Sequence, residues 1–182
     1  SCVGKTTIGK MLAEKIGFSF FDLDIEIQGY YNKPIERIQD ECFSMNGYRE
    51  KASVVLDYLF TKNIDSVVSG TPSGLKYSYL QVYKKHKADK DLYSILINDS
   101  CENVLNRLKF YDKDSNPITE KLNDSKKKRY LEEIKTDYNF FKDSYKRADF
   151  KIDINNISLI DIPNLIINEL QKKVKNPPLP KL

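Results

Sequence analysis

The first seven residues, Ser-Cys-Val-Gly-Lys-Thr-Thr, have the types and spacing of a loop that binds phosphate. Gly4, Lys5 and Thr6 fill the last three places of the pattern G-x-x-x-x-G-K-[ST], whose first glycine would lie two residues before Ser1. In such a loop backbone N–H groups surround phosphate oxygens, the lysine reaches the terminal phosphates and the hydroxyl binds Mg²⁺. The pattern predicts a triphosphate site made of Ser1, Cys2, Val3, Gly4, Lys5, Thr6 and Thr7.

A second interpretation is that Gly-Lys-Thr-Thr simply begins a helix. Ile8, Met11, Leu12 and Ile16 give the next segment an apolar helical face, and Gly17 is a typical residue to end it. A helix that starts at the loop would add its positive N-terminal end to the phosphate site. The helical context therefore favours the phosphate loop.

Composition limits the remaining function classes. A chain of 182 residues is long enough for one domain with its own core, and its net charge of +4 is mixed along the sequence, which argues against nucleic-acid binding. No apolar run is long enough to predict a membrane span. Cys2, Cys42 and Cys101 lie too far apart for a zinc set or a disulfide framework, so a reducing cytoplasm is expected. His86, in a lysine-rich segment, is expected at the surface.

Short apolar segments alternate with segments of helical spacing, which predicts an α/β fold with a central parallel sheet. The predicted strands are 18–22, 66–69, 92–97 and 150–154. The predicted helices are 6–16, 25–31, 34–38 (with Asn32 as its cap), 48–60, 75–87, 100–110, 126–146 and 159–174. Residues 111–125 are predicted to be irregular, and the strand that should lead into the phosphate loop would lie before Ser1.

The order of motifs resembles that of the shikimate kinase family of small P-loop kinases over nearly the whole sequence. The similar segments are Gly4 to Phe18 (the first helix), Asp22-Leu23-Asp24 (a D-x-D), Tyr48-Arg49 (a Phe-Arg), Ser69 to Gly74 (a triple-glycine loop) and Ala148 to Asp153 (the closing strand). The resemblance implies a three-layer P-loop kinase fold over 1–174, with 175–182 as a proline-rich tail or linker. It also implies ATP and Mg²⁺ as cofactors, a small-molecule substrate, and a monomer or part of a longer chain.

The implied reaction is phosphoryl transfer to a hydroxyl of a small metabolite, shikimate by default. By resemblance, Asp22 would hold Mg²⁺ together with Thr6, while Asp24 and Lys5 would act at the reacting groups. Arg49 would bind an anionic group of the acceptor. The other implied contacts are Gly70 and Thr71 to the acceptor, and Arg107, Asn155 and Asn156 to the adenine base. Alternatively, the D-x-D is a helix N-cap with Asp24 leading into the next helix, and Arg49 and Arg107 are surface residues.

The sequence departs from the family in the lid, at Asn116-Pro117, and in the loop from Gly70 to Gly74. The triple glycine is Gly-Thr-Pro-Ser-Gly, in which Pro72 has no N–H to donate. The lid's Arg-Pro pair becomes Asn116-Pro117, where Lys109 or Lys113 could supply a point charge instead.

Further departures lie in the acceptor-binding helices. The family's second substrate-binding arginine aligns with Phe140 or Phe141. The family's glutamate three residues after the counterpart of Arg49 is replaced by Ala52. Phe140, Phe141 and Tyr138 could form an apolar pocket wall, although helix core is the preferred interpretation. Two alternatives remain open: a decayed nucleotide-binding module, or a kinase for another polyol or a nucleotide.

Overall fold

The computed structural model describes residues 2–62, 64–88 and 91–173. Within them the chain forms the helices α1 (Lys5–Ile16), α2 (Leu23–Tyr31), α3 (Ile35–Asp40), α4 (Met45–Thr61), α5 (Ser78–Lys87), α6 (Cys101–Asn106), α7 (Asp124–Tyr145) and α8 (Ile162–Lys173). The strands are β1 (Ser19–Asp22), β2 (Ser66–Ser69), β3 (Ile95–Asn98), β4 (Phe110–Tyr111), β5 (Pro117–Ile118) and β6 (Phe150–Asp153). The predicted α/β class is confirmed.

The four longer strands form two parallel pairs. β1 pairs with β2, in register from Ser19↔Ser66 to Asp22↔Ser69, and β3 pairs with β6 from Ile95↔Phe150 to Asn98↔Asp153. A cavity of about 920 Å³ lies between the pairs, and residues of α1, β2 and β3 line it.

Two apolar clusters hold the helices against these strands. One joins α2, α3, α4 and α5 around Leu23, Ile27 and Ile38, each no more than 1% exposed. The other packs α1 against α8 and β6. Gly9 lets α1 approach β1, since a Cβ there would meet the ring of Phe20 at 2.7 Å. The first cluster thereby fixes the helices that follow the D-x-D, and the second fixes the helix that follows the phosphate loop.

Several local predictions need correction. Asn32 does not cap α3; it ends α2 with a left-handed φ of 50°, and α3 begins after Pro34. His86 is buried rather than at the surface, because its Nε2 meets Asp57 Oδ1 at 2.7 Å and its ring packs on Phe60. These contacts join residues far apart in the sequence, so local composition did not signal them.

The segment 111–125, predicted to be irregular, contains part of a short hairpin. Phe110 pairs with Ile118 and Tyr111 with Pro117 in antiparallel fashion. The helix predicted over 100–110 is shorter, since α6 ends at Asn106 and the first hairpin strand follows at Phe110. Among the described residues no helix is long and apolar enough to cross a membrane. The predicted tail, 175–182, and the last residue of the predicted final helix lie outside the described residues.

Candidate active site

The phosphate loop enters α1 through left-handed backbone. Gly4 is the N-cap of α1 with φ 88°, and Cys2 also has a positive φ of 54°. No side chain caps the first turn of α1 in the described chain. Its N–H groups and the helix dipole are therefore available to phosphate oxygens. Val3 and Gly4 are half-buried in the loop, Thr7 is exposed on the first turn, and Ser1 lies outside the described residues.

Lys5 follows the loop directly and is half-buried. Burial lowers the pKa of its amine, and the nearby charges of Asp24, Cys2 and Asp22 offset part of that effect. The ammonium of Lys5 thus lies near both carboxylates of the D-x-D, Asp22 and Asp24. This placement suits a cation that must meet triphosphate oxygens beside a metal ion.

Asp22 joins the D-x-D to the phosphate loop. The Thr6 hydroxyl donates to its Oδ2 at 2.6 Å, and its Oδ1 accepts the backbone N–H of Asp24 at 3.1 Å. Asp22 is therefore the N-cap of α2 as well as the partner of Thr6, and Asp24 lies in the first turn of that helix, as the capping alternative predicted. No group of three or more acidic, His or Cys side chains forms a metal site in the described chain. A hydroxyl and one carboxylate nevertheless fit Mg²⁺, which takes its remaining ligands from phosphates and water.

Asp24 lies on the first turn of α2 and is exposed to solvent. Surrounding protein raises the pKa of its carboxyl, and the charge of Asp22 raises it further, while Lys5 acts in the opposite direction. Glu36 of α3 adds a smaller upward effect. A raised carboxyl pKa is appropriate for a proton acceptor at a reacting hydroxyl.

Arg49 of α4 is a buried cation, 8% exposed, so the surface alternative is wrong. Its Nη1 donates to Asn46 Oδ1 at 2.9 Å, and its guanidinium lies 5.5 Å from the centre of the Phe141 ring. Within the described ranges it forms no salt bridge with any carboxylate. Burying a cation without an acid partner is costly, so this arrangement favours an anionic ligand.

Two tyrosines near Asp24 were not identified from the sequence. Tyr79 of α5 is 2% exposed, and its hydroxyl has no hydrogen-bond partner of normal geometry among the described residues. Burial raises its pKa to about 12, although the side chain of Thr71 and the charge of Arg49 lower it. The charge of Asp24 also acts on it. The Tyr79 hydroxyl thus lies between the D-x-D and Arg49, where a ligand hydroxyl could pair with it.

The second tyrosine is Tyr48, which precedes Arg49 and is 5% exposed. Burial raises the pKa of its hydroxyl and the charge of Asp24 raises it further. The only sequence signal for either residue was the Tyr-Arg pair, because Tyr79 lies in no motif.

The loop from Gly70 to Gly74 is held by the end of α7. The Ser144 hydroxyl donates to the Ser73 carbonyl at 2.7 Å, and the Tyr145 hydroxyl donates to the Pro72 carbonyl at 2.8 Å. Gly74 has φ 58°, and a Cβ there would lie 3.0 Å from the Tyr145 ring. These contacts fix the loop from Gly70 to Gly74 against the C-terminal end of α7.

Of the two residues predicted to touch the acceptor, Gly70 is exposed with open space where a Cβ would lie, while Thr71 faces the buried Tyr79 of α5. The Thr71 hydroxyl also lies 3.0 Å from that of Ser73.

Two of the three aromatic residues of α7 considered for a pocket wall are exposed. Phe140 is 61% exposed and Tyr138 is 38% exposed, so the core interpretation is wrong for both. Phe141 packs edge-to-face on Phe140 and carries Arg49 over its ring. Phe141 therefore lies beside Arg49, and the apolar pocket wall considered from the sequence stays a prediction.

The residues predicted at the adenine edge lie in one polar cluster after β3 and β6. Asp99 pairs with Arg107 and accepts Asn103 Nδ2 at 2.8 Å, and that amide also donates to Asn155 Oδ1 at 3.2 Å. Although burial pushes the pKa of Asp99 upward, hydrogen bonds from Asn103 and Arg107 hold it below its usual value. Asn156 follows with φ 61°. Arg107 and Asn155 thus belong to one cluster linked through Asp99 and Asn103, in which Arg107 is exposed, and their contact with a base stays a prediction.

Comparison with known proteins now decides the family. The sequence matches the family model of shikimate kinase over residues 1–174. The chain belongs to the shikimate kinase family. It is 29% identical over 172 residues to a shikimate kinase of Persephonella marina, covering 94% of this chain and 93% of that protein. It is 27% identical over 161 residues to one from Flavobacterium psychrophilum, covering 87% and 88% of the two chains.

Solved structures agree on the fold. Shikimate kinase from Acinetobacter baumannii in complex with shikimate superposes with a TM-score of 0.66 at 23% identity, covering 94% of this chain and 89% of that one. The predicted P-loop kinase fold is confirmed. As a member of the shikimate kinase family, the chain is an ATP-dependent kinase that transfers phosphate to a hydroxyl group.

In the lid, the departure from the shikimate kinase family pattern has a structural reason. Asn116 N–H donates to Asp112 Oδ1 at 2.9 Å, so Asn116 closes the hairpin turn rather than reaching outward. Lys109 and Lys113, considered as substitutes for the lid arginine, are both exposed. The hairpin instead contacts α3, where Arg37 Nη2 lies 2.7 Å from Asp114 Oδ1.

Proposed function

We propose that this kinase transfers the terminal phosphoryl group of ATP to a hydroxyl of shikimate. The single observation that carries the choice of an acidic acceptor is Arg49, a buried guanidinium with no carboxylate partner in the described chain. Shikimate provides a carboxylate for Arg49 and hydroxyls for Asp24 and Tyr79. The name of the Acinetobacter baumannii complex, a shikimate kinase with shikimate, supports the same acceptor.

The nucleotide would bind along the phosphate loop. Backbone N–H groups of Cys2 to Thr6 would surround its phosphates, and Lys5 would stabilise the charge that spreads over the transferred group. Mg²⁺, held by Thr6 and Asp22, would supply charge neutralisation between the phosphates. Arg107 and Asn155 would contact the adenine base of the nucleotide.

Transfer needs a proton acceptor beside the attacking oxygen. Asp24 would take the proton of the acceptor hydroxyl as its oxygen forms a bond to the γ-phosphorus, while the bond from that phosphorus to the bridging oxygen breaks and ADP leaves. Asp24 is placed for this by its position in the first turn of α2, two residues after Asp22, whose side chain caps the same helix. The raised pKa of Asp24 supports the role, since a proton acceptor works best when its pKa approaches the working pH.

A decayed nucleotide-binding module is less consistent with these contacts, because the phosphate loop, Asp22 and Asp24 form one hydrogen-bonded unit. We also propose a reducing, cytoplasmic setting, which the lack of a disulfide at Cys42 and Cys101 supports.

A coupled ADP-release assay with shikimate, gluconate and related polyols tests the acceptor. We expect saturable turnover with shikimate. Turnover with another polyol and none with shikimate would contradict the proposal, and nucleotide binding without transfer to any acceptor would favour the decayed module.

A further inference from the structure

In the part of the chain that the structure describes, Arg49 and Lys76 are two cations without a salt bridge near the α7 aromatic wall, formed by Phe140 and Phe141. Lys76 Nζ lies 3.3 Å from the centre of the Phe140 ring and 5.0 Å from that of Phe141. Arg49 lies 5.5 Å from the same Phe141 ring. The two cations therefore share one aromatic side chain, although they come from different elements of the chain.

The backbone holds Lys76 at this wall. Its N–H donates to the Gly74 carbonyl at 2.9 Å, and Arg147 Nη1 donates to the Leu75 carbonyl at 2.9 Å. The next residue, Tyr77, has φ 49°, which is unusual for a residue with a side chain. A turn fixed on both sides directs the lysine stem, which is half-buried, toward α7.

The charge of Lys76 has no carboxylate within salt-bridge distance anywhere in the described ranges. Aromatic faces attract a cation but do not neutralise it, so the positive charges of Lys76 and Arg49 add together. The sequence lacks the family's second substrate-binding arginine on α7, where Phe140 or Phe141 stands. Lys76, which precedes α5, thus supplies a positive charge beside Phe140 and Phe141.

We propose that Lys76 is a binding residue for the carboxylate of the acceptor, acting beside Arg49. The assignment rests on the proposed function, because it takes an acidic acceptor as given. Lysine offers a point charge and not the planar fork of arginine, so Lys76 selects for negative charge more than for carboxylate geometry. Phe140 and Phe141 position its ammonium through their ring faces.

Steady-state kinetics with shikimate and its neutral carboxamide tests the assignment. Lys76→Met keeps the apolar stem and removes the charge, and we expect it to raise the KM for shikimate on the order of tenfold. The KM for the carboxamide, the KM for ATP and kcat should stay at the wild-type values. Lys76→Arg should restore most of the preference for the acid. Lys84→Met, which removes an exposed lysine of α5, is the matched control and should change nothing.

The outcomes separate the two proposals. An unchanged ratio of acid to carboxamide in Lys76→Met, with normal wild-type turnover of shikimate, contradicts the assignment of Lys76 and leaves the proposed function standing. An equal rise in KM for both acceptors also contradicts it, because that is the result of a structural role. A wild-type protein that does not phosphorylate shikimate contradicts both proposals.

Discussion

The two ends of the site hold their cations in different ways. At the phosphate loop, Lys5 lies near the carboxylates of Asp22 and Asp24, so the free protein partly neutralises its own charge. At the other end, Arg49 and Lys76 contact Phe141 and meet no carboxylate in the described chain. In the phosphate-loop region, the cation is partly neutralised by the protein's own carboxylates before a nucleotide and its metal ion bind. A region of unpaired cations needs a ligand that brings negative charge.

The two regions also differ in how they are built. Thr6, Asp22 and Asp24 lie in short motifs, and one capping interaction and one hydroxyl contact join them. The acceptor end depends on α4, α5 and α7, which meet around Arg49 and the loop that Ser144 and Tyr145 hold. The first region follows the family pattern and the second departs from it. The predictions below test this division.

The largest effect is expected at the phosphate loop. Lys5→Ala removes the cation beside the γ-phosphate, and we expect kcat to fall roughly 10³-fold with weaker ATP binding. Coupled ADP release and calorimetric titration with ATP measure the two effects. Lys15→Ala, an exposed lysine at the other end of α1, is the control. Near-normal turnover in Lys5→Ala would mean that another cation serves the transferred group.

Asp24→Asn should separate binding from transfer. The amide cannot accept the proton, so we expect kcat to fall roughly 10²-fold or more while the dissociation constant for ATP stays unchanged. Asp40→Asn, at an exposed acid of α3, controls for loss of charge. Full activity of Asp24→Asn would show that the base is elsewhere.

Tyr79→Phe is expected to act in opposite directions on stability and on binding. Removing a buried hydroxyl that has no hydrogen-bond partner of normal geometry among the described residues should stabilise the free protein by about 1–3 kcal/mol, and losing its contact to the acceptor should raise the acceptor KM roughly two- to tenfold. Chemical denaturation and kinetics measure the two quantities.

Tyr83→Phe is the matched control for Tyr79→Phe on the same helix. The Tyr83 hydroxyl bonds with Asp149 and Lys87, so its removal should destabilise the protein and leave the acceptor KM unchanged. A destabilised Tyr79→Phe variant would show that the hydroxyl of Tyr79 is satisfied in the free protein.

The smallest effect concerns pH. Asp24 must be ionised to act, and its pKa lies above the ordinary value of 3.8, so the rate should rise with pH through that raised pKa. Glu36 contributes to the raise, and Glu36→Gln should therefore move the rising limb of kcat/KM to lower pH. The pH profile measures this shift, with Glu14→Gln as an exposed control on α1. A limb that moves to higher pH would exclude Glu36 as a source of the shift.

The same raised pKa affects stability. Because the pKa of Asp24 is raised in the folded state, protonation of Asp24 stabilises the fold relative to the unfolded chain. This contribution to the free energy of unfolding is fully present below pH 3.8 and is lost as pH rises through the folded pKa. Denaturation of the wild type and Asp24→Asn across that range should show the variant gaining relative stability with pH.

Local signals predicted the phosphate loop, the D-x-D and the ends of α1, because glycine conformation, capping and apolar spacing act within a few residues. Arg49 was predicted from the Tyr-Arg pair, but its burial was not, since that depends on α7. Lys76 and Tyr79 lie in no motif. His86 was placed wrongly for the same reason: its partner, Asp57, lies 29 residues away. The sequence thus indicated the donor end more completely than the acceptor end.

Calorimetric titration of two variants with two ligands tests the division most directly. Lys5→Met and Arg49→Met are each titrated with Mg·ATP and with shikimate. We predict that Lys5→Met weakens ATP binding and spares shikimate, while Arg49→Met weakens shikimate binding and spares ATP. Unchanged shikimate affinity in a folded Arg49→Met variant would contradict the account, because Arg49 would then not bind the carboxylate of the acceptor.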